Sequence, residues 1–141
     1  MKLGVIGSPI EHSKSPEIHT NFADQFDLEL VFEKYLVSKN ECLGWVKSFF
    51  ESGGLGLSVT LPLKEVVLEI ADDISLRAKQ AAAANMLFLK DGKIFADCTD
   101  GLGLVTDLKT KQIDIADKKI LILGAGGCLL YTSPSPRDGQ I

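Results

Sequence analysis

Histidine, cysteine and net positive charge are what this chain has little of, and each shortage removes a class of function. Two histidines and three cysteines are spread over 141 residues. Cys42, Cys98 and Cys128 form no C-x-x-C pair, and His12 and His19 have no third donor at ligand spacing, so no metal centre is expected and the thiols should be free. Fifteen Lys and Arg against nineteen Asp and Glu leave a net charge of −4. Without a basic stripe to neutralise phosphates, the chain does not read as a nucleic-acid binder. No apolar run approaches the roughly 18 residues that cross a bilayer, and the N-terminus has no charged segment leading into a long apolar core. No membrane partner is expected, and the cytoplasm is the default compartment. What is present is a soluble balance, 45% hydrophobic and 24% charged, with room for one ordinary domain.

Strand-like and helix-like segments alternate, which predicts an α/β fold with a mostly parallel sheet flanked by helices. Residues 3–6 form an apolar first strand. Ile18, Phe22 and Phe26, at helical spacing, predict a helix over 16–25, with Ser15 as N-cap and Pro16 at the first helical position. Residues 28–37 read as the second strand. Ser38 and Glu41 then form a capping-box pattern ahead of Leu43, Trp45, Val46, Phe49 and Phe50, and Gly53-Gly54 can close that helix. Further elements are a strand over 55–60, helices over 63–71 and 75–82, and strands over 86–89 and 93–96 joined by the hairpin signal Asp91-Gly92. A helix over 101–109 leads to a buried-strand pattern over 118–123.

Polar stretches interrupt this pattern where the strands end. Gly7-Ser8-Pro9-Ile10-Glu11-His12-Ser13-Lys14-Ser15-Pro16 follows the first strand. Gly7 permits an unusual backbone angle there, Pro9 stiffens the exit, and His12 is read as ordering the loop, with His19 on the helix flank. Ser13 and Ser15 flank Lys14 at a strand's carboxyl end, where open α/β sheets bind ligands. That suits a polyhydroxylated or carboxylated small molecule; a capped turn in which Ser15 serves only the helix suits it equally. Ser58-Val59-Thr60-Leu61-Pro62-Leu63-Lys64 brings a hydroxyl and an ammonium into one turn. By spacing alone Lys64 reads as a solvated lysine in a helix's first turn, Asn85 as a turn residue, and Thr99 or Asp100 as an N-cap. Gly124-Ala125-Gly126-Gly127, after an apolar strand, has the form of the start of a dinucleotide loop.

In this order the stretches resemble the shikimate dehydrogenase family. Its opening signature is glycine, a small polar residue, Pro-Ile, then His-Ser-x-Ser-Pro. Its Asn-Val-Thr-Val-Pro-Phe-Lys motif is matched at 58–64, with Ser58 for asparagine and Leu63 for phenylalanine. Its Ala-Val-Asn-Thr element is matched in part at Ala84-Asn85-Met86, and its Asn-Thr-Asp-Gly-x-Gly at 98–103 with Cys98 for asparagine. The resemblance implies a shikimate-binding catalytic domain over 1–100, and an interdomain helix with the first strand of an NADP-binding Rossmann domain over 101–127. The implied reaction is reversible reduction of 3-dehydroshikimate to shikimate with NADPH, in chorismate and aromatic amino-acid biosynthesis. In that scheme Ser13 and Ser15 hold the carboxylate and Thr60 and Asn85 bind the ring. Lys64 exchanges the proton, Asp100 binds a hydroxyl and partners Lys64, and Gly124, Ala125, Gly126 and Gly127 approach the cofactor. A lysine in water titrates at about 10.4, so such use of Lys64 requires burial or a tuned electrostatic setting. The full-length enzyme is expected to be a homodimer. The rival readings are an NAD-dependent quinate/shikimate dehydrogenase and a non-catalytic small-molecule-binding module.

Residues 128–141 break the pattern. Pro134 and Pro136 bar the helix that should follow the glycine loop. The run resembles a translated sequencing adaptor fused to an interrupted reading frame. Native sequence is therefore expected to end near Gly127, leaving a fragment that is inactive by itself.

Overall fold

The computed structural model describes residues 1–113, 115, 116, 118, 119 and 121. Most of the strand predicted over 118–123, the Gly124–Gly127 loop and the 128–141 tail lie outside the described residues. Two compact units divide the chain: Met1–Cys98, and a second beginning at Thr99.

The first unit is a six-stranded sheet of β1 (Lys2–Gly7), β2 (Val31–Leu36), β3 (Gly56–Val59), β4 (Asp73–Ile74), β5 (Met86–Lys90) and β6 (Lys93–Asp97). The strands lie in the order β2-β1-β3-β5-β6-β4. β1 is parallel to β2 and β3, and β4 to β6, while β5 runs antiparallel to β3 and β6. The sheet is mixed and mostly parallel, as the alternation of elements predicts. One consequence matters for function: the carboxyl ends of β1, β3 and β6 and the amino end of β5 all reach the same edge.

The main hydrophobic cluster lies on one face. Leu57 and Leu87 pair across β3 and β5, and Leu87 pairs with Ala96 of β6. Together with Ile6 they meet Val46, Phe49 and Phe50 of α2 (Cys42–Glu51) and Val67 of the 3₁₀ helix Val66–Ile70. Burying such a side chain contributes about 1.5–3 kcal/mol. Glycine shapes this face: a Cβ on Gly4 would lie 2.6 Å from the Tyr35 ring, which crosses β1 to meet Trp45 at 4.8 Å.

Local signals mostly act as read, and three act differently. The Asp91-Gly92 turn has both residues at positive φ, 52° and 74°, the form that matches strand twist. Gly53 (φ 88°) and Gly54 close α2, their amides donating to the Phe50 and Phe49 carbonyls at 3.1 and 3.0 Å. Ser75 caps α3 (Leu76–Ala81), accepting from the Ala78 N–H at 3.1 Å. The capping box does not form, because Ser38 Oγ donates to the Glu41 carboxylate at 2.5 Å and α2 begins only at Cys42. The helix predicted over 63–71 shrinks to the 3₁₀ turn Val66–Ile70. Its β-branched residues favour helix weakly, and Leu63 and Val67 are both pulled fully inside. Finally, α1 (Ser15–Asp24) starts one residue early, so Ser15 is inside the helix rather than its cap.

Candidate functional site

The loops that follow β1 and β3 touch. Ser8 N–H donates to the Leu61 carbonyl and Thr60 N–H to the Ile6 carbonyl, each at 3.0 Å. A Cβ on Gly7 would sit 2.5 Å from Thr60 Cγ2 and 3.0 Å from the Leu61 oxygen. Gly7 is therefore required for space, and not for the unusual backbone angle expected of it, since the positive-φ glycines among the described residues are Gly53 and Gly92. Pro9 and Pro62 both follow cis peptide bonds in these loops.

Within the serine loop, Ser13 Oγ donates to Ser15 Oγ at 3.2 Å and accepts from the Ser15 amide at 3.3 Å. Ser15 is the first residue inside the helix, Lys14 stands at the N-cap position, and the Ser15 hydroxyl is bonded to Ser13, so it does not serve as the helix cap. The helix start is held instead by His19, whose Nδ1 donates to the Ser15 carbonyl at 2.8 Å while its ring stacks on Phe32 at 4.4 Å. His19 thus lies on the helix flank as predicted, and the ordering role given to His12 falls to it. His12 itself is exposed beside a surface depression of about 390 Å³, shared with Glu11, Ser13, Lys14 and Lys34. Amides of Glu11 and Ile10 hold the Glu11 carboxyl below the usual range.

Lys64 leaves the turn after β3 and is buried, 9% exposed. Its carbonyl accepts the Ala84 amide at 2.7 Å. The next residue, Asn85, bridges strand ends: its amide donates to the Asp97 carbonyl at 3.0 Å, and its carbonyl accepts the Val59 amide at 2.8 Å. Ser13, Ser15, Thr60, Lys64 and Asn85 thus all belong to one edge of one unit. Asp100 opens α4 (Asp100–Thr110) in the second unit.

Sequence reasoning missed the ion pair between Arg77 and Asp97, twenty residues apart. No spacing rule links a short helix to the end of a later strand, and only β6 pairing reveals it. Among the described residues no group of three His, Cys, Asp or Glu side chains could hold a metal ion; Cys42 is a free thiol, and Cys42 and Cys98 are both buried. Burial pushes the Cys42 thiol up. Gly124, Ala125, Gly126 and Gly127, assigned to the cofactor, lie outside the described residues.

Residues 5–87 match the family described as the shikimate dehydrogenase substrate binding domain. The shikimate dehydrogenase (NADP(+)) of Colwellia psychrerythraea is 47% identical over 123 residues, covering 87% of this chain and 45% of the relative. That of Methylococcus capsulatus is 48% identical over 128 residues, covering 89% and 46%. The crystal structure of Listeria monocytogenes shikimate 5-dehydrogenase in complex with shikimate and NAD superposes with a TM-score of 0.86 at 32% identity, covering 92% of this chain and 45% of that one. The chain spans about half the length of the curated relatives it matches. With more than half of its residues under the family profile, and the serine loop and the buried lysine on one sheet edge, this chain belongs to the shikimate dehydrogenase substrate binding domain family.

Proposed function

We propose that this chain is the substrate-binding part of an NADP-dependent shikimate dehydrogenase, which interconverts 3-dehydroshikimate and shikimate. The reading is supported by the topology, which brings the loops after β1 and β3 and the start of β5, the segments that carry Ser13, Ser15, Thr60, Lys64 and Asn85, to one end of the sheet in a chain of this family. Ser13 and Ser15, already bonded to each other, offer paired hydroxyls to a carboxylate. Thr60 and Asn85 hold ring hydroxyls, and Lys64 exchanges a proton with the oxygen at the reacting carbon. Asp100 binds a hydroxyl and orients the lysine. The nicotinamide, when bound, supplies or accepts hydride, with Gly124–Gly127 as the start of its loop.

Two measurements test this. Shikimate titrated into the ¹⁵N-labelled chain should shift the amides of Ser13, Ser15, Thr60 and Asn85; shifts elsewhere, or none, refute the ring site. In the full-length enzyme Lys64→Met should lower kcat by about 10²–10⁴, the range for losing a general acid or base, with KM little changed. Retained kcat would favour the passive binding module. NAD as the nicotinamide is the second reading, favoured by the Listeria structure, and parallel assays with both cofactors separate the two. The proposal extends to a cytoplasmic, homodimeric full-length enzyme without nucleic-acid or membrane partners, which sedimentation and cell fractionation test.

A further inference from the structure

Asp97 ends β6 with a buried carboxylate. One oxygen accepts from Arg77 Nε at 2.6 Å, Ser75 Oγ at 2.7 Å and the Cys98 amide at 2.8 Å, and the other accepts from Arg77 Nη2. A guanidinium that donates through two nitrogens fixes the plane of its carboxylate as well as its position. The Arg77 hydrogen bond also holds the Asp97 carboxyl down at about 2, against the burial that would raise it.

The main chain of the same region carries the consequence. Ser75 N–H donates to the Ala96 carbonyl at 3.0 Å, and Asn85 N–H to the Asp97 carbonyl at 3.0 Å. Residues 75–85, which contain α3, form a strap that leaves the end of β6 and returns to it. Ala78, Ala83 and Ala84 within the strap are fully buried, so it has little room to shift. Its last turn delivers two contacts of the candidate site: Ala84 N–H to the Lys64 carbonyl at 2.7 Å, and Asn85 itself.

We propose that Asp97, held by Arg77, is a positioning residue that fixes Asn85 and, through Ala84, Lys64 for the ligand. The assignment rests on the substrate reading of the preceding section. It ascribes to the ion pair a function in ligand geometry beyond its contribution to folding.

The test uses the ¹⁵N-labelled full chain, with Arg77→Met, Arg77→Lys and, as a control that loses core stability from α2 without touching the Arg77–Asp97 pair, Val46→Ala. Arg77→Met should speed amide exchange at Asn85 and Ala84 by about tenfold beyond the change at β1 amides, since the loss is local. It should also weaken shikimate binding by about tenfold, because a displaced ligand group loses its geometry. Arg77→Lys, which keeps the charge and loses the fork, should recover part of both effects, and it carries the same test if Arg77→Met does not fold. Val46→Ala should leave both quantities within about threefold of wild type when compared at equal folded fraction. Folded Arg77 variants that match Val46→Ala in exchange and affinity would overturn the proposal. A wild-type chain that does not bind shikimate removes the substrate reading, while the Asn85 and Ala84 amides still decide whether the clamp positions them.

Discussion

Gly7→Ala tests whether the contact between the first two site loops holds the edge together. The new Cβ would meet Thr60 Cγ2 at 2.5 Å, the Leu61 oxygen at 3.0 Å and Ile10 Cδ1 at 3.2 Å. Carbon atoms in favourable contact sit at about 3.5–4.0 Å, so the loops must part by about 1 Å. Overpacking of this kind costs about 1–3 kcal/mol. The separation also strains the Ser8 to Leu61 and Thr60 to Ile6 hydrogen bonds, both 3.0 Å, each contributing about 1 kcal/mol. With both bonds lost the sum is about 3–5 kcal/mol, a large fraction of the 5–15 kcal/mol typical of a domain. Urea unfolding followed by fluorescence of Trp45, the single tryptophan, measures it. Adding Thr60→Ser, which removes the nearest carbon, should return part of the loss and give a coupling above about 0.5 kcal/mol in the double-mutant cycle. A Gly7→Ala chain within about 0.5 kcal/mol of wild type, or a cycle without coupling, would refute the close-approach argument.

Other perturbations report on other layers. The Asp97 carboxyl sits at about 2 in the folded chain against an ordinary 3.8, and a difference of nearly two pH units corresponds to about 2 kcal/mol. Because the folded value is depressed, that stability is whole above about pH 4 and is lost as pH falls toward 2. The stability gap between wild type and Arg77→Met should therefore close over that window in acid unfolding curves; a pH-independent gap would contradict the linkage. Leu87→Ala removes a fully buried side chain at the centre of the core face and should cost about 2–5 kcal/mol by the same urea assay. A loss under 1 kcal/mol would mean the core collapses around the gap. Loss of kcat in Lys64→Met full-length enzyme, and of local protection at Asn85 in Arg77→Met, complete the set.

Much of the fold is legible along the chain because its signals are local. The alternation of elements, the Asp91-Gly92 turn and the Gly53-Gly54 stop each depend on a few adjacent residues whose backbone preferences are their own. The signals that mislead are those where two local partners compete. Ser38 and Glu41 bond each other through side chains and leave the helix amides alone. Ser15 bonds Ser13, and His19 holds the helix start in its place. Of the site, Ser13, Ser15, Thr60, Lys64 and Asn85 were legible as polar residues at strand ends and by resemblance. That the segments carrying them leave the same end of the sheet was not, because it depends on β5 reversing direction between β3 and β6.

The sequence by itself determined that this is an α/β chain of the shikimate dehydrogenase kind, since periodicity, turn chemistry and motif order are all properties of neighbours. Only the tertiary structure decided that Lys64 is buried, that Gly7 is needed for space against Thr60, and that Arg77 grips Asp97 from twenty residues away. Each of those depends on which strands lie side by side. That arrangement is set by the burial of Ile6, Leu57, Leu87 and Val67 together, a collective packing solution that no stretch of adjacent residues encodes.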